Sequence, residues 1–118
     1  VDFSNRYESF YVPENPTNMI EVPGVKFRLV HRESSIQNYN LKIKSDDLLT
    51  IFATKELGKN MFSYIDLIRK ATEIHCVDSA FIHLVDSFEL NSSLYFHNIR
   101  KGDYRFNFKN NWNVINYE

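Results

Sequence analysis

Four short stretches of the chain have the hydrophobic pattern of β-strands. Apolar and basic residues alternate over residues 25–31, which is the period-two signal of a strand with one covered face. The unbroken apolar run at residues 48–54 predicts a strand that is covered on both faces. Residues 74–77 and 93–97 repeat the short apolar pattern. Runs of this kind are typical of parallel sheets.

Two stretches between these strands have helical spacing. Over residues 61–72 apolar side chains recur at intervals of three and four, and Asn60 stands where a helix N-cap belongs. Residues 80–88 repeat the spacing after Asp78 and Ser79, whose short side chains can cap a helix. This order of elements is that of βαβ crossovers. It predicts a Rossmann-like, three-layer α/β fold with a mostly parallel sheet of about four strands.

The two ends of the chain differ from this central part. Residues 1–24 hold all three prolines and predict an N-terminal arm that ends in a turn at Pro23-Gly24. The aromatic anchors expected for this arm are Phe3, Tyr7, Phe10 and Tyr11. Residues 103–118 form an aromatic C-terminal tail, either a hairpin or an extended segment packed on the domain. The length of 118 residues suits a single domain over residues 1–118.

Charge and hydropathy exclude two kinds of partner. Fourteen Lys and Arg against fifteen Asp and Glu give a formal net charge of −1, which supplies no basic field for nucleic acid. We therefore expect no nucleic-acid partner. No apolar run approaches the roughly 18 residues that cross a bilayer, so we also expect no membrane span.

The cysteine and histidine content narrows the chemistry. Cys76 is the only cysteine, which excludes an intramolecular disulfide and favours a reducing compartment, so we expect a cytoplasmic protein with Cys76 in the core. His75 lies in a strand expected to be buried and is predicted to be a structural histidine. No two histidines have metal-ligand spacing, and we expect neither a metal site nor a cofactor.

Ligands of open parallel sheets gather beyond the carboxyl ends of the strands, where loops and helix N-termini converge. Polar residues follow the first and third predicted strands, namely His31, Arg32, Ser34, Ser35 and Ser79. An arginine fork opposite a helix N-terminus suits a nucleotide diphosphate. We predict that His31 is catalytic, as a base or hydrogen-bond donor, and that the other four residues bind substrate.

This site requires the segments ending at His31 and Val77 to lie side by side and to point the same way. A simpler interpretation of the same residues stays open. Arg32 can be a solvated loop charge and Ser79 only a helix cap, and no Gly-rich phosphate loop accompanies them.

Four short motifs follow one another in the second half of the chain, and these are Glu73-Ile74-His75, Asp78-Ser79-Ala80-Phe81, His83-Leu84-Val85-Asp86 and Leu94-Tyr95-Phe96-His97. In this order they resemble the C-terminal half of GT-B-type glycosyltransferase-like proteins of bacteria and viruses. Upstream, residues 6–13 and 25–35 look like the arm of that group and its strand before a phosphate-side loop. The resemblance spans most of the chain.

The resemblance implies a Rossmann-like half that binds a sugar nucleotide through loop residues. It implicates the same polar residues after the first strand and Ser79 at the helix start. Two departures matter, because Ala80 replaces the second serine of the motif and the N-terminal acceptor domain is absent. We therefore expect the donor-side domain of a glycosyltransferase, as a fragment without full activity, since transfer needs both reactants positioned and water excluded.

Two further hypotheses belong to other classes. The chain can be a non-catalytic α/β interaction module that forms a homo-oligomer through an exposed sheet edge and the aromatic tail. It can also be a small hydrolase that uses His31 with Glu33, although no nucleophile-elbow motif accompanies them.

Overall fold

The computed structural model describes residues 19–33, 37–54, 61–100 and 108–117. Its elements in chain order are β1 (Phe27–His31), β2 (Leu49–Phe52), a 3-10 helix (Met61–Tyr64), α1 (Ile65–Lys70), β3 (Glu73–Val77), α2 (Ala80–Asp86), β4 (Ser93–Asn98) and β5 (Trp112–Asn116). The predicted alternation of strands and helices is confirmed.

The five strands form one parallel sheet in the order β2-β1-β3-β4-β5. This confirms the Rossmann-like α/β prediction, and the tail contributes a fifth strand because Trp112–Asn116 pairs with β4. The strand order reverses at β1, whose two neighbours are β2 and β3. In open α/β sheets such a switch point opens the crevice where ligands bind.

The register of β1 and β3 satisfies the requirement on which the predicted site depends. The two strands pair in parallel, with Arg28 beside Glu73 and His31 beside Cys76. The exits of β1 and β3 therefore lie next to each other on one edge of the sheet.

The apolar core lies between the sheet and the helices. Side chains of a strand alternate between its faces, and one face carries Leu29, Ile74 and Phe96, all fully buried. The helical residues packed in the same cluster include Leu67, Ile68, Phe81, Ile82, Leu84 and Val85. Cys76 is also part of this core, as predicted, and burial raises the pKa of its thiol.

The opposite face of the sheet combines buried valines, Val30 and Val77, with polar side chains, and no described helix packs on it. Arg28 and His75 lie on this face and are nevertheless buried. The connection from β1 to β2 crosses it, because Arg28 Nη1 donates to the carbonyl of Lys44 and Arg28 Nη2 pairs with Asp46. The third layer described here is therefore an extended segment.

β2 departs from the sequence prediction. The apolar run predicts a strand covered on both faces, but β2 stands at an edge of the sheet, with Leu49 44% and Phe52 37% exposed. That prediction is wrong, because Leu49 and Phe52 lie on opposite faces of β2 and both are exposed, so neither face is fully covered, while Ile51 still packs against the core.

Both helices end earlier than the spacing predicts. α1 stops at Lys70 because Ala71 is extended (φ −62°, ψ 141°) and the Thr72 N–H already donates to Phe27 of β1. α2 ends at Asp86, and the hydroxyl of Ser87 donates to the carbonyl of Leu84. The N-cap predicted at Asn60 lies outside the described residues.

The two terminal segments are described in part. Ile20 and Val22 pack against the core, residues 24 and 25 form a bend where a turn is predicted, and Phe108 of the tail packs on the core. The rest of the predicted arm lies outside the described residues, including its aromatic anchors Phe3, Tyr7, Phe10 and Tyr11. Within the described part of the chain, no helix has the length and apolarity needed to span a bilayer.

Candidate functional site

The exits of β1 and β3 bring two of the predicted site residues into contact. His31 ends β1, and its ring stacks on Phe81 of α2 with centroids 4.6 Å apart and planes 4° from parallel. Ser79 precedes α2, and its Oγ lies 3.3 Å from His31 Nδ1. The stacking fixes the plane of the imidazole, so its nitrogens have defined directions at the switch point.

Ser79 is not the capping residue that the simpler interpretation requires. It occupies the N-cap position with an extended backbone, but its side chain makes no capping hydrogen bond. Its hydroxyl instead lies near His31 Nδ1 and the carbonyl of Val77. The hydroxyl therefore links the exits of β1 and β3 rather than the first turn of α2.

The electrostatics of His31 define what this side chain can do. Burial lowers its pKa from 6.5 to about 4. At neutral pH the ring is uncharged, so it offers one hydrogen-bond donor and one acceptor rather than a positive charge. A base with so low a pKa is poorly matched to proton abstraction near pH 7. The geometry therefore suits orientation of a ligand better than general base catalysis.

Arg32 follows His31 and lies towards the other face of the sheet. Its guanidinium carbon sits 4.2 Å from the centroid of the Phe52 ring, a cation–π contact. The described contacts do not join Arg32 to Ser79. Ser34 and Ser35 lie outside the described residues.

Arg100 stands at the same edge and was missed by the sequence analysis. It follows β4, and its Nη1 donates to the carbonyl of Asp78 at 2.5 Å, next to Ser79. Its side chain is exposed, so nitrogens of the guanidinium remain accessible to an anion. The signal that could have found it is its place as the first cation after the strand predicted at residues 93–97.

Several residues of the resemblance motifs are structural in this fold. Asp86 is fully buried and accepts from the backbone N–H groups of Lys109 and Asn110 and from Trp112 Nε1, at 2.8 to 2.9 Å. His75 is satisfied by Glu73 and His97, which confirms the structural role predicted for it.

A depression in the surface lies at the opposite edge of the sheet from His31 and Ser79. It has a volume of about 470 Å³ and is lined by residues that include Arg69, Thr72, Phe88 and Ser92. Arg69 lies over the Phe88 ring at 5.0 Å, much as Arg32 lies over Phe52. This edge holds the amino ends of β3 and β4, where parallel sheets seldom bind ligands.

These contacts bear on the hydrolase hypothesis and on metal binding. The hydrolase hypothesis needs Glu33 beside His31, but within the described contacts the hydrogen-bond partner of His31 is Ser79, and the backbone of Glu33 bridges to Asn38. In the described residues no three His, Cys, Asp or Glu side chains are grouped to hold a metal ion.

The fold and the site together define a parallel α/β domain in which His31 and Ser79 are in contact at the switch point of the sheet. Comparison of the chain with protein-family models, curated proteins and solved structures gives no match.

Proposed function

We propose that this chain is the donor-side domain of a glycosyltransferase-like protein and binds the diphosphate of a sugar nucleotide at the β1/β3 switch point. The observation that carries the proposal is the contact between His31 and Ser79 at the adjacent strand exits. The resemblance of residues 61–101 to the nucleotide-binding half of GT-B-type proteins points to the same edge.

The roles of the side chains follow from their positions. Ser79 donates a hydrogen bond to a phosphate oxygen, and neutral His31, which donates from Nδ1 to Ser79 Oγ, orients the hydroxyl for that bond. Arg100, which donates to the carbonyl of Asp78 beside Ser79, supplies positive charge with a guanidinium fork that matches phosphate oxygens. Arg32 starts from the exit of β1 and supplies a second fork when its side chain turns from Phe52 to the ligand. α2 has only seven residues, so its dipole is a small contribution and the side chains dominate. The predicted cytoplasmic location stays a prediction.

Isothermal titration calorimetry with GDP-, UDP- and CMP-sugars tests this proposal. We expect one of these nucleotides to bind, and Ser79→Ala and Arg32→Ala each to weaken its affinity about tenfold, because a charge-assisted hydrogen bond contributes roughly 1.5 kcal/mol. Arg69→Ala is the matched control, since Arg69 makes the same kind of aromatic contact at the opposite edge. Absence of binding, or binding weakened only by Arg69→Ala, would contradict the proposal.

A second candidate function is supported by the edge of the sheet. β5 is an edge strand of sequence WNVIN that carries no charge, and Val114 is 45% exposed. Natural edge strands usually carry charges or prolines that prevent pairing with other chains. An uncharged edge therefore favours the alternative of a self-associating interaction module.

Light scattering after size-exclusion chromatography distinguishes this alternative. If β5 pairs with a second copy, the chain elutes as a dimer, and Val114→Lys converts it to a monomer because a lysine on the edge must be desolvated in the pair. Lys26→Glu, an exposed charge change outside β5, is the control. A monomer at all concentrations excludes the module.

A further inference from the structure

A line of polar side chains crosses the face of the sheet opposite the helices, with His75 and His97 buried at its centre and Glu73 and Tyr117 half-buried at its ends. His75 Nε2 lies 3.0 Å from the Glu73 carboxylate, and His75 Nδ1 lies 2.8 Å from His97 Nε2. His97 Nδ1 lies 2.7 Å from Tyr117 Oη, which accepts from the backbone N–H of Lys42 at 2.6 Å. We call these four contacts the histidine chain. Its last contact attaches the β1–β2 connection to the sheet.

When both histidines are uncharged, their hydrogen-bond partners allow one arrangement of hydrogens in the histidine chain. A carboxylate only accepts, so His75 carries its hydrogen on Nε2 and accepts at Nδ1. His97 must then donate from Nε2 and accept at Nδ1 from the Tyr117 hydroxyl. The Tyr117 oxygen is thereby free to accept from Lys42. Every hydrogen in the chain points the same way, from Lys42 to Glu73.

An added proton disturbs this arrangement at the same contact wherever it binds. An imidazolium donates from both nitrogens. If His97 is protonated, its Nδ1–H takes the place of the Tyr117 hydroxyl hydrogen, which must turn away from His97. If His75 is protonated, His97 has to move its own hydrogen to Nδ1, with the same result. In either case the Tyr117 oxygen no longer donates to His97 and has to accept from His97 and Lys42 at once, which weakens its contact with Lys42.

The charges around the histidines act in both directions on a protonated pair. The side chains that face the histidine pair, directly or through one neighbour, are Glu73 of β3, Arg28 of β1, Tyr95 of β4, and Asp46 and Lys42 of the connection. Glu73 and Asp46 attract a proton on His75, while Arg28 opposes it. The Lys42 ammonium lies 4.7 Å from the centroid of the Tyr117 ring, so a positive His97 repels it.

The connection also carries part of the candidate site. Arg32 is its first residue, and the Arg32 carbonyl accepts from the N–H of Tyr39 at 2.9 Å. Lys42 follows three residues later. The N–H groups of Tyr39 and Lys42 therefore attach the first part of the connection at two points, and this part begins at the switch point.

We propose that the histidine chain is a proton-sensitive contact that holds the β1–β2 connection on the sheet, so that acid releases the connection and weakens ligand binding at the β1/β3 switch point. The effect on binding rests on the proposed function, whereas the release of the connection does not. Burial lowers the pKa of both histidines, that of His97 to about 4 with a further contribution from His75. Release of the connection returns the histidine pKa values to about 6.5. The equilibrium constant for release therefore rises by up to about tenfold for each histidine and each pH unit below 6.5.

Amide hydrogen exchange of the chain without ligand tests the release. After correction for the intrinsic pH dependence, exchange at Lys42 should become at least tenfold faster between pH 7 and pH 5. The amide of Ile74, in the central strand β3, exchanges only through global unfolding, so its rate follows the loss of stability in acid and should stay well below the rate at Lys42 at both pH values. Equal rates at the two positions would show that Lys42 is released only by global unfolding and would overturn the proposal, as would an unchanged rate at Lys42.

A pair of conservative variants separates the hydroxyl from the ring. Tyr117→Phe removes the link to Lys42, so exchange at Lys42 should be fast at pH 7 and respond little to acid. Tyr95→Phe removes a hydroxyl on the same face that is not a link of the chain, and should behave as the wild type. Identical Lys42 exchange in all three proteins would overturn the proposal.

Binding measurements then test the second half of the proposal. The affinity for the sugar nucleotide should fall between pH 7 and pH 5 in the wild type and change less in Tyr117→Phe. A pH-independent affinity in the wild type would overturn this half. Absence of any nucleotide binding would contradict the proposed function and leave the exchange result at Lys42 valid by itself.

Discussion

Replacing Asp86 with alanine is expected to lower the free energy of unfolding by roughly 3–5 kcal/mol. The carboxylate is fully buried and accepts from four groups of the segment before and at the start of β5, namely the backbone N–H groups of Lys109 and Asn110, the Asn110 side-chain amide and Trp112 Nε1. Alanine leaves these donors without their acceptor, although the fold still places the segment before β5 beside the end of α2. Urea unfolding followed by the fluorescence of Trp112, the only tryptophan, measures the change.

Asp66→Ala is the matched control for this substitution. Asp66 is exposed on α1, so its loss should change the stability by less than about 0.5 kcal/mol. A stability of Asp86→Ala equal to that of the control would contradict the role assigned to Asp86.

The second large effect is a loss of stability in mild acid. Burial lowers the pKa of His31 and of His97 from 6.5 to about 4, and it lowers the pKa of His75 as well. Between these values the unfolded chain binds protons that the folded chain does not, so stability falls as the pH decreases from about 7 towards 4. From pH 7 to pH 5 we expect a loss of roughly 2 kcal/mol for each of His31 and His97.

Equilibrium unfolding at a series of pH values measures this loss. The pH window distinguishes the histidines from the carboxylates, because the pKa of Asp46, held down by the N–H of Leu48 and by Arg28, is lowered below its ordinary 3.8. His31→Gln should reduce the slope of stability against pH by about one proton. A flat profile between pH 7 and pH 5 would show that the folded protein protonates these rings as easily as the unfolded chain does.

The strands and helices could be predicted because their signals are local. The alternation over residues 25–31 and the apolar runs that became β3 and β4 place their side chains in the core. The run that became β2 has the same composition, but its place at an edge is set by strand order, which a local pattern does not contain. β5 was equally hidden, since Asn113 and Asn116 interrupt its apolar residues.

Half of the candidate site could be predicted for the same reason. His31 and Ser79 were found because residues after parallel strands meet at one edge, and their contact depends only on the pairing of β1 with β3. The direction of the Arg32 side chain depends on its contact with Phe52. Nothing in the sequence indicates that these two segments meet. Arg100 could have been predicted by the same rule, as the first cation after the strand predicted at residues 93–97, but its contact with Asp78 depends on the pairing of β3 with β4.

The histidine chain shows what periodicity cannot supply. Glu73, His75, His97 and Tyr117 come from three parts of the chain, and their hydrogen bonds exist only in the assembled sheet. A trace of it is present in the sequence, because Arg28, His75 and His97 are polar residues at interior positions of apolar strands. Such positions usually mark a buried polar network, since an unpaired polar group there is costly.

An NMR titration of the isotope-labelled chain with sugar nucleotides tests most directly whether the exits of β1 and β3 share one anionic ligand. The predicted result is a set of saturable shift changes centred on His31, Arg32, Ser79 and Arg100. The contradicting result is either no change at millimolar nucleotide or changes centred on Arg69 and Phe88 at the opposite edge of the sheet.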